Sequence, residues 1–484
     1  LKIFLNAATG RPPRQRDLDE IVVTLRRRLM VGKPMRPPAG PKLSPAFLQR
    51  RLRAFQLRKL RHTVDHVGRH IPFYQQQLRA VGIQAADFRS LSDVQKLPLL
   101  RREELQTRQI EFISRAPYLA PSLHMSSSGT TGQTIDAYLT PEEFDRYTST
   151  QAIAGMNYGF LGPQHISQIH LQFDNSISSK IYNVAAYKSG TLLLTPGING
   201  SMDAHLDSLL QRRNVPGKFP QVSVLSGAPG FLWAMAERSL ARGLRPQDFG
   251  LKRVFASGAK VSAALKERVK AAWGVRLFEG YSLIEAASTG AYECDHGRLH
   301  FLDFSGLLEV LDPQTLQPVK PGQVGVGVIT AFYPDRELMP LLRYWTSDLM
   351  QMPVNELCPC GLVSTSIVEI TGREDHVIII GGMNVYPQPV GDALLAFPEL
   401  IRPPKFQMRL EERSGAQTVV IEAELVAPLS ETAGRQLEQK ILSSTPVLQT
   451  THAAAGIVKV EVQLVPAGSI AKPFPYKLQG PTPV

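Results

Sequence analysis

Along the first hundred residues, apolar positions return every three or four residues among basic ones. The runs LRRRLM and LQRRLRAFQLRKLRHTV, between Arg26 and Arg69, set leucines at helical spacing and predict amphipathic helices with a solvated basic face. Prolines in HIPFYQQQL and LPLLRREELQ mark short connections into further helices. From about Leu123 to Arg373 the pattern changes. Short apolar runs (VSVLSG, LKRVFASG, VRLFEGY) end in Gly or Ser and give way to helical stretches such as AALKERVKAAWG. Strands alternating with helices predict a layered α/β body, with ligands where strand ends meet loops. Beyond Arg373 the pattern changes again. HVIIIGGMNVYP reads as β-type sequence around a Gly-Gly turn, and VVIEAELV and IVKVEVQLV as strands flanking the helical AGRQLEQKILSS. The expected fold class is α/β: a helical segment over 1–100, a core over 101–374 and a small α+β domain over 375–484.

Composition narrows this picture. A chain of 484 residues has room for about three domains. With 43% apolar and 20% charged residues it reads as an ordinary globular protein. The net charge of +12 raises nucleic acid as a partner, but the solvated helix faces account for much of it, so none is expected. A positive field also suits an anionic substrate. No apolar run is long enough to span a bilayer. The opening LKIFLNAATGRPPRQRDLDE lacks the order of a signal peptide, so a cytoplasmic location is expected. Three cysteines argue against a disulfide framework.

The sharpest local signal is HMSSSGTTGQTIDAYLT. Ser126, Ser127, Ser128, Gly129, Thr130, Thr131 and Gly132 can bend so that N–H groups and hydroxyls converge on phosphate oxygens. The spacing is not that of a Walker A loop, and a flexible Ser/Gly linker has the same composition. Further on, VFASGAKVS brings the small residues Ser257, Gly258 and Ala259 after a strand, where a flat base can approach the backbone. FEGYSLIEAAS brings Tyr281, whose ring can stack on that base, and Glu285, a hard oxygen ligand suited to Mg²⁺ beside phosphates. LLRYWTSDLM brings Asp348, a carboxylate able to accept from two sugar hydroxyls.

Taken in order, these segments resemble the adenylate-forming superfamily of acyl-CoA synthetases. IPFY and LPLLRREEL ahead of the loop are similar to the phenylacetate–CoA ligase branch, and the resemblance runs from about Arg50 onward. It implies ATP and Mg²⁺ as cofactors, with residues 127–132 on the phosphates and Thr130 taking part in catalysis. The loop 257–259 and Tyr281 would hold adenine. Asp348 would hold the ribose, and Arg373, in ITGREDHVIIIGG, the ribose or phosphate; Asp375 would be the hinge of a mobile C-terminal lid. A lysine near the C-terminus completes the pattern, with Lys477 favoured over Lys472. The chain departs from the family at four places: Ile284 stands where a hydroxyl residue is usual, and Ser282, Ser347 and Tyr476 stand at glycine positions. Losing a hydroxyl bonded to the α-phosphate would cost roughly 1.5–3 kcal/mol.

The cysteines lie near histidines in YECDHGRLHFLD and NELCPCGLV. A hairpin looped at His296-Gly297-Arg298 would set Cys294 opposite His300, and Cys358 and Cys360 would complete a Cys₃His zinc set, with His296 as the competing fourth ligand. Some members of the resembling branch bind structural zinc at similar positions. The resemblance further implies transfer of an aryl or arylacetic acid, through acyl-AMP, to CoA. The alternatives are loading of a carrier protein's phosphopantetheine and a degenerate, non-catalytic homologue. A homodimer is compatible with it. Phe231, Trp233 and Tyr138 are candidate pocket aromatics or plain core residues.

Overall fold

The computed structural model describes residues 13–32, 44–126, 135–170, 177–196, 200–258, 261–374, 378–380, 383–385, 387–400, 404–413, 416–427, 430–445 and 458–470.

The basic periodic stretch forms α1 (Gln15–Met30), α2 (Pro45–His70) and α3 (Pro72–Val81). The Ser44 hydroxyl caps α2 by accepting from Phe47 N, and Pro45 takes the first turn, where a missing N–H costs nothing. Leu60, Val64 and Val67 are buried along one face of α2 while Arg50, Arg53 and Arg69 stay exposed. The basic face is not wholly solvated, however. Lys59 is buried, its Nζ 2.5 Å from Asp335 Oδ2, and Arg146 Nη2 reaches Asp335 Oδ1 at 2.9 Å. Burial costs each of these charges its hydration, and their mutual pairing, with an Arg146 bond to Pro13 O at 2.9 Å, offsets that.

The short α4 (Arg102–Thr107) leads to an antiparallel hairpin of β1 (Leu123–Ser126) and β2 (Asp136–Leu139). α5 (Pro141–Asn157) follows, capped reciprocally by Thr140 and Glu143. The expected alternation then runs through β3 (Ile166–His170), α6 (Ile177–Ser189), β4 (Leu192–Leu194), α7 (Met202–Leu210), β5 (Val224–Gly227), α8 (Pro229–Ala241), β6 (Arg253–Ser257), α9 (Ala263–Trp273) and β7 (Leu277–Tyr281). These five strands are parallel. Strands covered on both faces must be apolar nearly throughout, which is why the sequence shows runs and not alternation. α8 and α9 pack Phe231, Leu232, Leu265 and Trp273 against the buried Val254 and Leu277 of the sheet.

Antiparallel β8 (Ala291–Glu293) and β9 (Leu299–Phe301) extend this sheet beyond β7. A second sheet begins with β10 (Gly306–Leu311), β11 (Val324–Ala331) and β12 (Tyr344–Gln351); β13 (Ser366–Ile367) returns to β9, and β14 (Ile370–Arg373) closes the second sheet against β12. Past Arg373 come the hairpin strands β15 (Ile378–Ile380) and β16 (Met383–Val385), α10 (Pro387–Leu394), β17 (Phe406–Arg413), β18 (Ala416–Leu425), α11 (Glu431–Ser444) and β19 (Val458–Pro466). β18 pairs antiparallel with β17 and parallel with β19, and a parallel neighbour requires a crossover, which contains α11. This part has its own core, with Leu394, Phe406, Ile421, Leu437 and Ile441. The architecture is mixed α/β, as the pattern predicted. Among the described residues no helix is long and apolar enough to cross a membrane.

Candidate functional site

β6 and β7 end side by side, with Ser257 directly opposite Gly280. Gly258 takes a left-handed conformation at φ +89°, so the chain turns sharply off the strand there. After β7 the chain turns through 282–288 and carries Glu285 inward, where it is 6% exposed. Glu285 is therefore not a surface residue at a helix start. Ile284, the residue in place of a hydroxyl, packs against the apolar cluster of Met125, Leu139 and Ile181, so it serves packing beneath the β1–β2 hairpin. Ser282 lines the neighbouring pocket.

Asp348 reaches the same region from the second sheet. It stands directly opposite Arg373, and its Oδ1 lies 3.4 Å from Arg373 Nη1. Its Oδ2 accepts from the Tyr281 hydroxyl at 2.7 Å. Burial, and next the Asp348 carboxylate, push the Tyr281 hydroxyl well above its ordinary pKa, so it stays a proton donor. The backbone aims Asp348 through an irregularity. Val326 pairs with Leu349 but Val328 pairs with Trp345, so residues 346–348 bulge opposite Gly327. Ser347 sits at φ +61° within the bulge, the conformation for which glycine is suited.

Arg102 is a member of this cluster that the sequence did not disclose. Its Nη1 donates to Glu285 Oε1 at 2.7 Å. LPLLRREELQ reads only as a Pro-broken helix start, and nothing local in it points to residue 285.

The ends of β6 and β7 also border an apolar pocket. Tyr147, Phe160, Ile181, Tyr182, Phe255 and Tyr292 form its walls, and Ser257, Gly280 and Tyr281 lie at the strand ends. Among the described residues no charged side chain lines it. The aromatics singled out from sequence are elsewhere. Phe231 is fully buried and stacked on His170, Trp233 belongs to the same helix–sheet core, and Tyr138 packs against the core around α2 and α3. Ser127, Ser128, Gly129, Thr130, Thr131, Gly132, Ala259, Asp375, Lys472 and Lys477 lie outside the described residues.

The three cysteines and His300 converge. Their ligand atoms all lie within 4.8 Å of one another, with Cys294 Sγ 3.7 Å from Cys358 Sγ and Cys360 Sγ 3.2 Å from His300 Nε2. His296 is exposed and outside this group. The hairpin register differs from the expected one. His300 stands opposite Tyr292, and the loop is Asp295-His296-Gly297, because Gly297 at φ +80° takes the left-handed position of a three-residue turn. Cys294 and His300 still share a face, since residues two apart on a strand point the same way.

No protein-family model matches the chain. Over 405 residues it is 28% identical to a phenylacetate–coenzyme A ligase of Thermus thermophilus, covering 83% of this chain and 86% of that protein. Over 387 residues it is 24% identical to a phenylacetate–coenzyme A ligase of Escherichia coli, covering 77% and 82%. A solved structure of 2-hydroxyisobutyryl-CoA ligase in the postadenylation state, in complex with R3-HIB-AMP, matches with a TM-score of 0.69 at 20% identity, covering 91% of this chain and 92% of that one. The same enzyme with 2-HIB-AMP and CoA, in the thioesterification state, matches with a TM-score of 0.60 at 21% identity, covering 90% and 91%. The chain resembles phenylacetate–coenzyme A ligases over most of its length, and its fold is that of an acyl-CoA ligase.

Proposed function

We propose that this protein joins a carboxylic acid to ATP, forming acyl-AMP and pyrophosphate, and then passes the acyl group to the thiol of CoA. One observation carries the reading. Tyr281 and Glu285 from one stretch, Asp348 from a second and Arg373 from a third meet beside an uncharged apolar pocket at the ends of parallel strands. In this reading Asp348 accepts from the ribose hydroxyls, while Tyr281 and Arg373 hold its carboxylate in place. The backbone at Ser257 and Gly258 leaves room for the base. The resemblance assigns residues 127–132 to the phosphates and Lys477 to the reacting groups. Glu285 would hold Mg²⁺, which when bound offsets phosphate charge. The aromatic walls favour an aryl or arylacetic acid, carried as far as its carboxylate by apolar contact. The part beyond residue 374 acts as a lid that turns between the two half-reactions.

The Cys₃His group fits a structural zinc ion. Tetrahedral zinc with thiolates at about 2.3 Å sets neighbouring sulfurs roughly 3.8 Å apart, close to the 3.7 Å between Cys294 and Cys358. His300 Nδ1 bonds the Ser364 hydroxyl at 2.9 Å, which leaves Nε2 facing the cysteines. Four protein donors close the site, so the ion would brace β8, β9 and the 358–360 loop without joining the reaction. Elemental analysis should find about one zinc per chain; a metal-free, fully folded protein refutes the assignment.

ATP–pyrophosphate exchange with a panel of aryl, arylacetic and aliphatic acids tests the main reading. Exchange that depends on one acid class supports adenylation and names the class. Absence of exchange with every acid, while ATP still binds, favours a non-catalytic homologue. Formation of acyl-CoA without any added carrier protein separates CoA from phosphopantetheine as the acceptor.

A further inference from the structure

Glu285 already has a cationic partner, and it comes from outside every nucleotide segment. The Arg102 guanidinium is 2.7 Å from Glu285 Oε1, with side-chain exposures of 23% and 6%. Its charge also acts on the buried Tyr344 hydroxyl, offsetting part of the rise in pKa that burial imposes there. The backbone holds it there. Leu100 docks alongside β12, its N–H donating to Arg343 O at 3.0 Å and its carbonyl accepting from Trp345 N at 2.9 Å. Arg101 adds a second anchor by stacking over the Trp345 ring at 3.9 Å. Burial strips a carboxylate of its hydration, and the paired guanidinium offsets that loss. Yet in the adenylation reading the same carboxylate takes a divalent cation. A guanidinium and a dication sharing one carboxylate repel each other strongly at such short range.

We propose that Arg102 is a positioning residue for adenylation. It holds the Glu285 carboxylate in place while no metal is bound, and it yields the carboxylate when Mg²⁺ and ATP enter. Once released, the guanidinium remains tethered by Leu100 and α4 and adds positive charge beside the triphosphate. Arg102 thus competes with the metal for Glu285, and in the metal-free protein its pairing offsets the Glu285 charge that would otherwise repel the triphosphate. This inference rests on the adenylation reading for its role in turnover, but the competition itself is measurable by binding alone.

The test compares the full-length wild type with Arg102→Ala and Arg102→Lys, using calorimetric ATP titrations with and without Mg²⁺ and the Mg²⁺ dependence of ATP–pyrophosphate exchange. Arg102→Ala should lower the half-saturating Mg²⁺ concentration roughly fivefold, weaken metal-free ATP binding about tenfold, and reduce kcat more than it raises KM for ATP. Arg102→Lys should return the Mg²⁺ dependence toward wild type. In a Glu285→Gln background, removing Arg102 should leave the Mg²⁺ dependence unchanged, since the contested carboxylate is gone. The proposal is overturned if Arg102→Ala matches wild type in both titrations. It is equally overturned if Arg102→Ala and Arg102→Lys lose activity alike with no shift in Mg²⁺ dependence, or if the Arg102 effect on Mg²⁺ persists in the Glu285→Gln background. A wild type that shows no exchange with any acid defeats the adenylation reading instead, and the calorimetric arms still decide the competition.

Discussion

Replacing Ser347 with glycine should stabilise the protein without altering nucleotide binding. Ser347 occupies φ +61° in the bulge that turns Asp348 toward Tyr281 and Arg373. For a residue with a Cβ this conformation costs roughly 1–2 kcal/mol, and serine has less means than asparagine to soften it by local bonding. Glycine removes that cost. Against this, a new glycine frees the unfolded chain and gives back about 0.4–1 kcal/mol. Relief of strain is the larger effect, so the net gain is about 0.5–1 kcal/mol, or roughly 0.5–1 °C in Tm for a chain of 484 residues. The control is Ser347→Ala, which deletes the hydroxyl and keeps the strain. Urea unfolding and thermal scans of the two variants and wild type, at one protein concentration, isolate the backbone effect. ATP affinity by calorimetry should stay within about twofold of wild type in Ser347→Gly, because the Asp348 partners are untouched. A Ser347→Gly protein no more stable than Ser347→Ala would refute the strain argument. A marked loss of ATP affinity would show that the serine side chain, and not the bulge alone, places the carboxylate.

Asp348→Asn keeps the shape of the clamp but removes the charge that makes its hydrogen bonds strong. ATP affinity should fall by about 1.5–3 kcal/mol, ten- to a hundredfold, in a calorimetric titration, with little change in Tm. On the proposed zinc assignment, Cys358→Ser should abolish zinc binding by elemental analysis and lower Tm by several degrees, since it removes one of the four clustered donors. Burial pushes the Asp303 carboxyl up to about 7, with the Thr365 N–H and the Gln56 amide holding it only partly back. Its proton is then retained in the folded chain and lost from the unfolded one between about pH 4 and pH 7, so this group's contribution to stability falls as pH rises through that window. Asp303→Asn cannot ionise. It should gain on wild type between pH 5 and pH 8, by on the order of 2–4 kcal/mol, in paired unfolding curves; an advantage independent of pH would contradict the assignment.

What the sequence disclosed and what it hid divide along a physical line. β5, β6 and β7 were legible because strands covered on both faces must be apolar throughout and must stop at residues that turn, as Gly227, Ser257 and Tyr281 followed by Ser282 do. The helices of the first hundred residues were legible from period alone, yet period could not show that Lys59 leaves the solvated face for Asp335, 276 positions further on. Arg102 was hidden for the same reason: its partner lies 183 positions away, and a local pattern holds no trace of a contact that exists only once β12 has docked the Leu100 segment. The hairpin between Cys294 and His300 lies between these cases. Residue types gave the donors but not the turn, and the register was set by where a left-handed residue was available, Gly297, shifting the pairing by two positions. A shift of one would have put Cys294 on the opposite face and scattered the cluster, whereas a shift of two preserved it. The same reasoning bears on Ser347. Conformation at a bulge is a local demand that a sequence can advertise, and here the chain meets a glycine-type geometry with serine, so the carboxylate it places is held at some cost to the backbone. A chain that keeps Asp348, Tyr281 and Arg373 in contact despite that cost has over-determined their placement from two sheets at once, which is how an arrangement held for binding, and not for stability alone, would be built.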